Sequence, residues 1–224
     1  MTQRENLIIV SASERSQHYA WLDGDPSRNW DLTVLPYRDV LPPVGHDVYT
    51  QPVTQLKKFA GLHECLSRSA FWKSYAAILL IDEDLFAMPG TFSRFFQIVD
   101  QIKDFQLGAP ALTPNSIAGH AICVQNPISR WRRVSFVESM MPCFTPEILE
   151  DLLPTFIAEE TGVGWGLDLV WPKLLNYRGI YIIDETPVTH WRPALYTRSY
   201  MPEVRGVMQK YDAQWLQHTY EYVR

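Results

Sequence analysis

Ala76-Ala77-Ile78-Leu79-Leu80-Ile81-Asp82-Glu83-Asp84 sets a short apolar run directly against three acids. A strand apolar on both faces belongs in the middle of a sheet that is covered on both sides. Sheets of that kind are built where strands alternate with helices, and the flanking sequence alternates in that way. Upstream, residues 53–71 carry Leu56, Phe59, Ala60, Leu62, Cys65 and Leu66 near three-to-four spacing, the period of a helix. Downstream, Phe92, Phe95, Phe96, Val99 and Ile102 form one helical stripe, opened by Pro89-Gly90-Thr91.

The remaining segments repeat the pattern. Leu7-Ile8-Ile9-Val10 runs into Ser11-Ala12-Ser13 and reads as a buried strand entering a polar loop. Residues 31–35 read as a strand closed by Pro36, and residues 36–52, with Pro42, Pro43, Gly45 and Pro52, as irregular loop. Residues 107–112, 134–137 and 179–183 read as strands, and 146–153, 167–177 and 204–222 as helices. The last helix is expected to be anchored by Val207, Met208, Tyr211, Trp215 and Tyr222. No repeat, low-complexity tract or linker interrupts the chain. Residues 1–224 are therefore expected to form one α/β domain with a mixed or parallel sheet.

Composition narrows the function. Hydrophobic residues make up 46% of the 224, enough for a sizeable core and incompatible with general disorder. Twenty Lys+Arg against 25 Asp+Glu give a net charge of −5, which disfavours nucleic acid as the main partner. No apolar run reaches the ~18–20 residues of a membrane span. Met1-Thr2-Gln3-Arg4-Glu5-Asn6 lacks the apolar stretch of a secretory signal. Cys65, Cys123 and Cys143 are unclustered, so neither a disulfide framework nor a zinc knuckle is indicated. These features lead us to expect a soluble, cytoplasmic protein.

In open α/β sheets, carboxylates that follow a central strand face the ligand crevice. Asp82 and Asp84 there suit a hard divalent cation, Mg²⁺ or Mn²⁺, which in turn can hold a diphosphate. The spacing alone carries little, because about three acid-x-acid matches arise by chance in such a composition. Asp23-Gly24-Asp25 is one such match, without a preceding apolar strand. A solvated strand end is the alternative for Asp82–Asp84. Gly164-Trp165-Gly166-Leu167-Asp168 sets an aromatic between two glycines and an acid at a helix start. Asp168 there can be functional or can simply favour the helix dipole. His190, in Pro187-Val188-Thr189-His190-Trp191-Arg192, follows a strong strand and is either the further ligand that the acids need or a satisfied, half-buried histidine. Arg15, Lys57 and Lys58 are either phosphate partners or surface charge. Glu138 either binds an acceptor hydroxyl or is a buried structural acid.

The segments IDEDL, FVESMMPCFTPEIL, GWGLDLVW and VTHW, in this order across residues 55–193, resemble a glycosyltransferase-like family. That family is known from plant proteins labelled lysine-ketoglutarate reductase trans-splicing related. The resemblance implies a GT-A-like (Rossmann-like) three-layer fold with a mixed central sheet. It also implies a metal-dependent, inverting nucleotide-sugar transferase using Mn²⁺ or Mg²⁺. No Gly-x-Gly-x-x-Gly run supports the reductase label. By the resemblance, Asp82-Glu83-Asp84 matches the Asp-x-Asp element, Asp168 the catalytic base and His190 the late metal ligand. Donor contacts are then expected from Ser11, Arg15, Lys58, Asp82 and Glu83, and acceptor contacts from Glu138, Trp165 and Gly166. Val163 stands where plant members tend to carry His, a departure that bears on the acceptor.

The partners implied are a nucleoside diphosphate sugar and a hydroxyl acceptor, with a glycan favoured. A non-catalytic nucleotide or carbohydrate-binding module on the same fold is the main alternative. A phosphohydrolase would call for more ligands than one acidic cluster and one His.

Overall fold

Alternate side chains of a strand point to opposite faces, so a strand buried at every position is covered on both sides. Asn6–Ala12, Trp30–Pro36 and Leu107–Leu112 are each buried throughout. The computed structural model describes residues 3–37, 48–158, 162–192 and 200–224. The first half of the chain runs β1 (Asn6–Ala12), α1 (His18–Leu22), β2 (Trp30–Pro36), β3 (Val48–Thr50), α2 (Lys58–Arg68), β4 (Ile78–Asp82), β5 (Leu85–Phe86), α3 (Thr91–Val99) and β6 (Leu107–Leu112). The second half adds β7 (Trp131–Val134), β8 (Cys143–Phe144), α4 (Pro146–Leu152), α5 (Leu167–Leu174), β9 (Ile180–His190), α6 (Met201–Tyr211) and β10 (Thr219–Val223).

The strands line up in the order β10-β7-β9-β6-β8-β4-β1-β2-β3, and β5 pairs with β9 off that path. β1 is parallel to β2 and β4, and β6 is parallel to β9. β8 runs antiparallel between β4 and β6, and β7 antiparallel between β9 and β10. The sheet is mixed, as expected. From β1 the chain builds β2 and β3 to one side, then returns to place β4 on the other.

An aromatic cluster braces one side of this sheet. Phe59 of α2 meets Phe156 edge-on at 5.0 Å, and Phe144 of β8 meets Trp171 of α5 at 5.2 Å. Pairs of this kind add ~0.5–1.5 kcal/mol beyond their buried area. They tie the start of α2 to α5.

Several boundaries differ from the sequence reading. Helix α2 begins at Lys58; Thr54 instead bridges to Tyr37, which leaves Val53 and Leu56 exposed. Residues 38–47 of the expected 36–52 loop lie outside the described residues, and 48–50 form the edge strand β3. The strand expected at 134–137 is β7 at Trp131–Val134, so Glu138 lies in a loop rather than at a strand end. Strand β9 continues to His190. The expected helix over 204–222 is corrected: α6 stops at Tyr211, where Asp212 adopts a left-handed conformation (φ 51°). Thr219–Val223, rich in β-branched and aromatic residues, pairs with β7 instead. Trp215 and Tyr222 are more than half exposed and are not core anchors; Trp215 meets the His120 ring, and Tyr222 lies in β10 opposite Arg132. Among the described residues, no helix is long and apolar enough to cross a membrane.

Candidate active site

Ligands of open α/β sheets gather outside the carboxyl ends of strands, where the strand order reverses. Here the reversal falls between β1 and β4, with Ser11 directly opposite Asp82 in register. The crevice is therefore framed by Ser11-Ala12-Ser13 on one strand and Asp82-Glu83-Asp84 on the other.

The three acids meet different surroundings. Asp82 Oδ1 lies 2.7 Å from Lys58 Nζ. The same ammonium donates to the carbonyls of Ser139 at 2.8 Å and Met140 at 2.9 Å. An ammonium has three donors, and these contacts use all of them. Lys58 thus bears on the crevice through Asp82 rather than as a free phosphate partner. Burial pushes the Asp82 carboxyl up, against the pull of Lys58. Glu83 turns the other way and is buried. Its carboxylate accepts from the Ser13 amide and hydroxyl, the Tyr37 hydroxyl and Arg192.

Asp84 is delivered to His190 by the pairing that follows it. Strand β5 starts at the next residue and runs antiparallel to the end of β9, with Leu85 opposite His190. His190 Nε2 lies 3.5 Å from Asp84 Oδ2. Its Nδ1 is 2.7 Å from the Ile117 carbonyl. A carbonyl can only accept, so Nδ1 carries the proton and Nε2 faces Asp84. Burial would raise the Asp84 carboxyl, but the hydrogen bond and charge of His190 outweigh it and hold it low. The bond to Asp84 raises His190 in turn.

The Asp84 carboxylate suits Mn²⁺ or Mg²⁺, the His190 imidazole favours the softer Mn²⁺ of the two, and the carbonyl behind Nδ1 is the outer-shell partner that orients a ligating imidazole. Among the described residues, no three His, Cys, Asp or Glu side chains converge as a cation site. A cation here would take two protein ligands and complete its shell with substrate oxygens and water, as Mg²⁺ commonly does.

The loop entering α5 presents Asp168 in the first turn of that helix. Gly164 and Gly166 have φ of 98° and 84°, and a side chain at Gly164 would collide with the Phe59 ring. Only glycine makes that turn without strain. Trp165 between them stacks on Tyr200, with centroids 4.4 Å apart and planes 15° off parallel. The half-buried Asp168 carboxyl accepts from the backbone amides of Asp168 and Leu169 at the start of the helix. Burial, with the charge of Glu138 adding to it, nevertheless raises its pKa to about 7. Burial also raises Glu138, which senses His190, Asp82 and Lys58. Glu138 Oε2 is buried and has no hydrogen-bond partner among the described residues. Glu138 thus stands electrostatically between the Asp84–His190 pair and Asp168.

Ser11, Lys58, Asp82, Glu83, Asp84, Glu138, Asp168 and His190 are therefore brought to one sheet edge. Arg15 is not drawn in: its side chain is 74% exposed, with Glu14 at 3.8 Å. Lys57 is also exposed. The sequence reading missed Ser13, Tyr37, Arg192 and the Ile117 carbonyl. Arg192 sits two residues beyond His190, a weak signal; Tyr37 and Ile117 carried none.

No family model and no curated protein matches the sequence. The likeness lies in the fold, which is the GT-A fold of glycosyltransferases. The crystal structure of S. aureus TarS 1-349 matches 82% of this chain and 59% of that one, with a TM-score of 0.51 and 10% identity. GalNAc-T7, solved with UDP, GalNAc and Mn²⁺, matches 93% of this chain and 48% of that one, with a TM-score of 0.61 and 7% identity. The chain spans about half the length of these matched structures.

Proposed function

We propose that the protein is a metal-dependent, inverting glycosyltransferase. It would move a sugar from a nucleoside diphosphate sugar to an acceptor hydroxyl, with a glycan as the favoured acceptor and residues 1–224 as one catalytic domain. The observation that carries this reading is that two chemistries lie within electrostatic reach of one residue, Glu138. One is the Asp84–His190 pair, and the other is a carboxyl, Asp168, with a pKa of about 7. The fold likeness to GalNAc-T7, solved with UDP, GalNAc and Mn²⁺, supports a nucleotide-sugar donor and a divalent cation. The motif order shared with the plant family supports the same class.

A divalent cation supplies neutralisation of the leaving diphosphate as a Lewis acid. Asp84 and His190 would hold it, with Nε2 kept available by the Nδ1 bond to Ile117. Ser11 and Asp82 would contact the donor, and Lys58 would keep Asp82 in position. Asp168 would accept the proton of the attacking hydroxyl, since a base poised near working pH serves proton transfer best. Inversion needs one such base and no covalent intermediate. Trp165, Gly166 and the unpaired Oε2 of Glu138 would receive the acceptor. A mere binding module has no use for a carboxyl held near neutrality, which disfavours that alternative. The described cysteines are free and buried, in keeping with a reducing, cytoplasmic setting.

Thermal shift with UDP, GDP and ADP and their sugars, with and without Mn²⁺, tests the donor. A ligand that binds only the native state raises its apparent stability by mass action. Metal-dependent stabilisation by one nucleotide is expected. No stabilisation by any of them would overturn the reading.

A further inference from the structure

Glu83, the middle acid of Asp82-Glu83-Asp84, is turned away from both the cation pair and Asp168. It is only 7% exposed. Four donors from three separate segments end on its two oxygens. The Ser13 amide reaches Oε2; the Ser13 hydroxyl and the Tyr37 hydroxyl reach Oε1 at 2.8 Å each; and Arg192 Nη1 reaches Oε1 at 3.4 Å. The Glu83 carbonyl accepts from the Gln17 amide at 2.8 Å. Arg192 closes the ring by donating from Nη2 to the Arg15 carbonyl at 2.8 Å. The loop 13–17 is thus tied at Ser13, Arg15 and Gln17, every tie running through Glu83 or its partner Arg192.

This wall lies on the β1–β2 side of the crevice. Asp168 feels the charge of Glu138 rather than that of Glu83. A diphosphate centred on Asp84 and His190 would leave the β1–β2 side for the nucleoside.

We infer that Glu83 is a positioning residue that locks the loop after β1, the end of β2 and the Arg192 segment into one nucleoside-facing wall. The inference rests on the transferase reading above. It changes the expected role of Glu83: its carboxylate is filled by protein donors and acts on the donor molecule through the wall it holds. Every group that reaches the carboxylate is itself a donor. Glu83→Gln preserves volume but removes the charge and sets an NH₂ against either the Ser13 amide or Arg192, which cannot accept from it, while the two hydroxyls can reverse their bonds.

The test compares wild type, E83Q and Tyr37→Phe, which removes a single bond from the wall. Calorimetry with Mn²⁺ would use inorganic diphosphate and whichever of UDP, GDP and ADP binds wild type most tightly. Amide hydrogen exchange would be followed over residues 13–17. In E83Q the nucleoside diphosphate should bind on the order of tenfold more weakly or worse, the worth of a charge-assisted hydrogen bond. Inorganic diphosphate should stay within about twofold, below what losing one hydrogen bond would give. Exchange at residues 13–17 should quicken on the order of tenfold or more, as local opening becomes easier. Y37F should shift in the same direction by less. Equal losses for both ligands, unchanged binding of both, or unchanged exchange in E83Q and Y37F would each overturn the inference. Should wild type bind none of the nucleotides, the transferase reading fails by itself. The exchange rates then still decide whether Glu83 holds the wall.

Discussion

Asp168→Asn retains the side chain's shape and its capacity to accept from the amides at the start of α5, while removing its charge. Burial, then the charge of Glu138, move this carboxyl from an ordinary 3.8 to about 7. At ~1.36 kcal/mol per tenfold, ionised Asp168 costs the native state at most about 4 kcal/mol. Solvent reaching the half-buried group would bring the measured figure below that ceiling, to about 1–3 kcal/mol. The folded value lies above the unfolded one, so the native state binds more protons between them, and stability falls as pH rises through that window. The penalty is absent below about 3.8 and complete above about 7. In metal-free protein, the Asn variant should thus gain on wild type as pH rises from about 5 to about 8. Transfer should fall by ~10²–10⁴-fold, the share a general base supplies. Urea denaturation at both pH values, beside turnover with a saturating donor, measures the two effects. A variant as active as wild type would refute the base. One less stable than wild type at the higher pH would refute the buried-charge argument.

Asp84→Ala should make nucleoside diphosphate binding insensitive to chelator, as calorimetry with and without EDTA would report; a wild type already insensitive to EDTA would contradict the cation pair. Gly164→Ala should destabilise by ~2–4 kcal/mol, from left-handed backbone strain together with overpacking against Phe59. A loss under about 1 kcal/mol in urea would mean that the loop relaxes freely. Arg132→Met breaks the bidentate pair to Asp184, whose side chain is 0% exposed, and leaves a buried carboxylate. A loss of ~3–5 kcal/mol is expected, partly restored when Asp184→Leu is added, since the Asn126 amide and the Ser129 hydroxyl also end on that carboxylate. Equal stability of the two variants would argue against a buried ion pair.

Residue type was sufficient for the inner strands. Runs apolar on both faces at 7–10, 78–81 and 180–183 can only be buried strands or helix fragments, and their length and β-branched content choose strands. The acids after Ile81 and the glycines around Trp165 were legible for the same reason: each is a local break in a local pattern. The chain's end was not. Val204, Val207, Met208 and Tyr211 keep helical spacing, yet Thr219–Val223 becomes a strand because β7, far away in sequence, offers it an edge. The segment's β-branched and aromatic residues permit a strand, but strand preference is mostly a matter of neighbours, so the edge offered by β7 decided it. The same holds within the site. That Lys58 is spent on Asp82 and two carbonyls, that Ile117 orients His190, and that Glu83 gathers Ser13, Tyr37 and Arg192 are contacts between distant segments. Sequence determined which residues are candidates for chemistry and which strands bury the core. Tertiary structure decided what each one touches, because a side chain's charge state and free donors depend on partners that only the sheet order brings within reach.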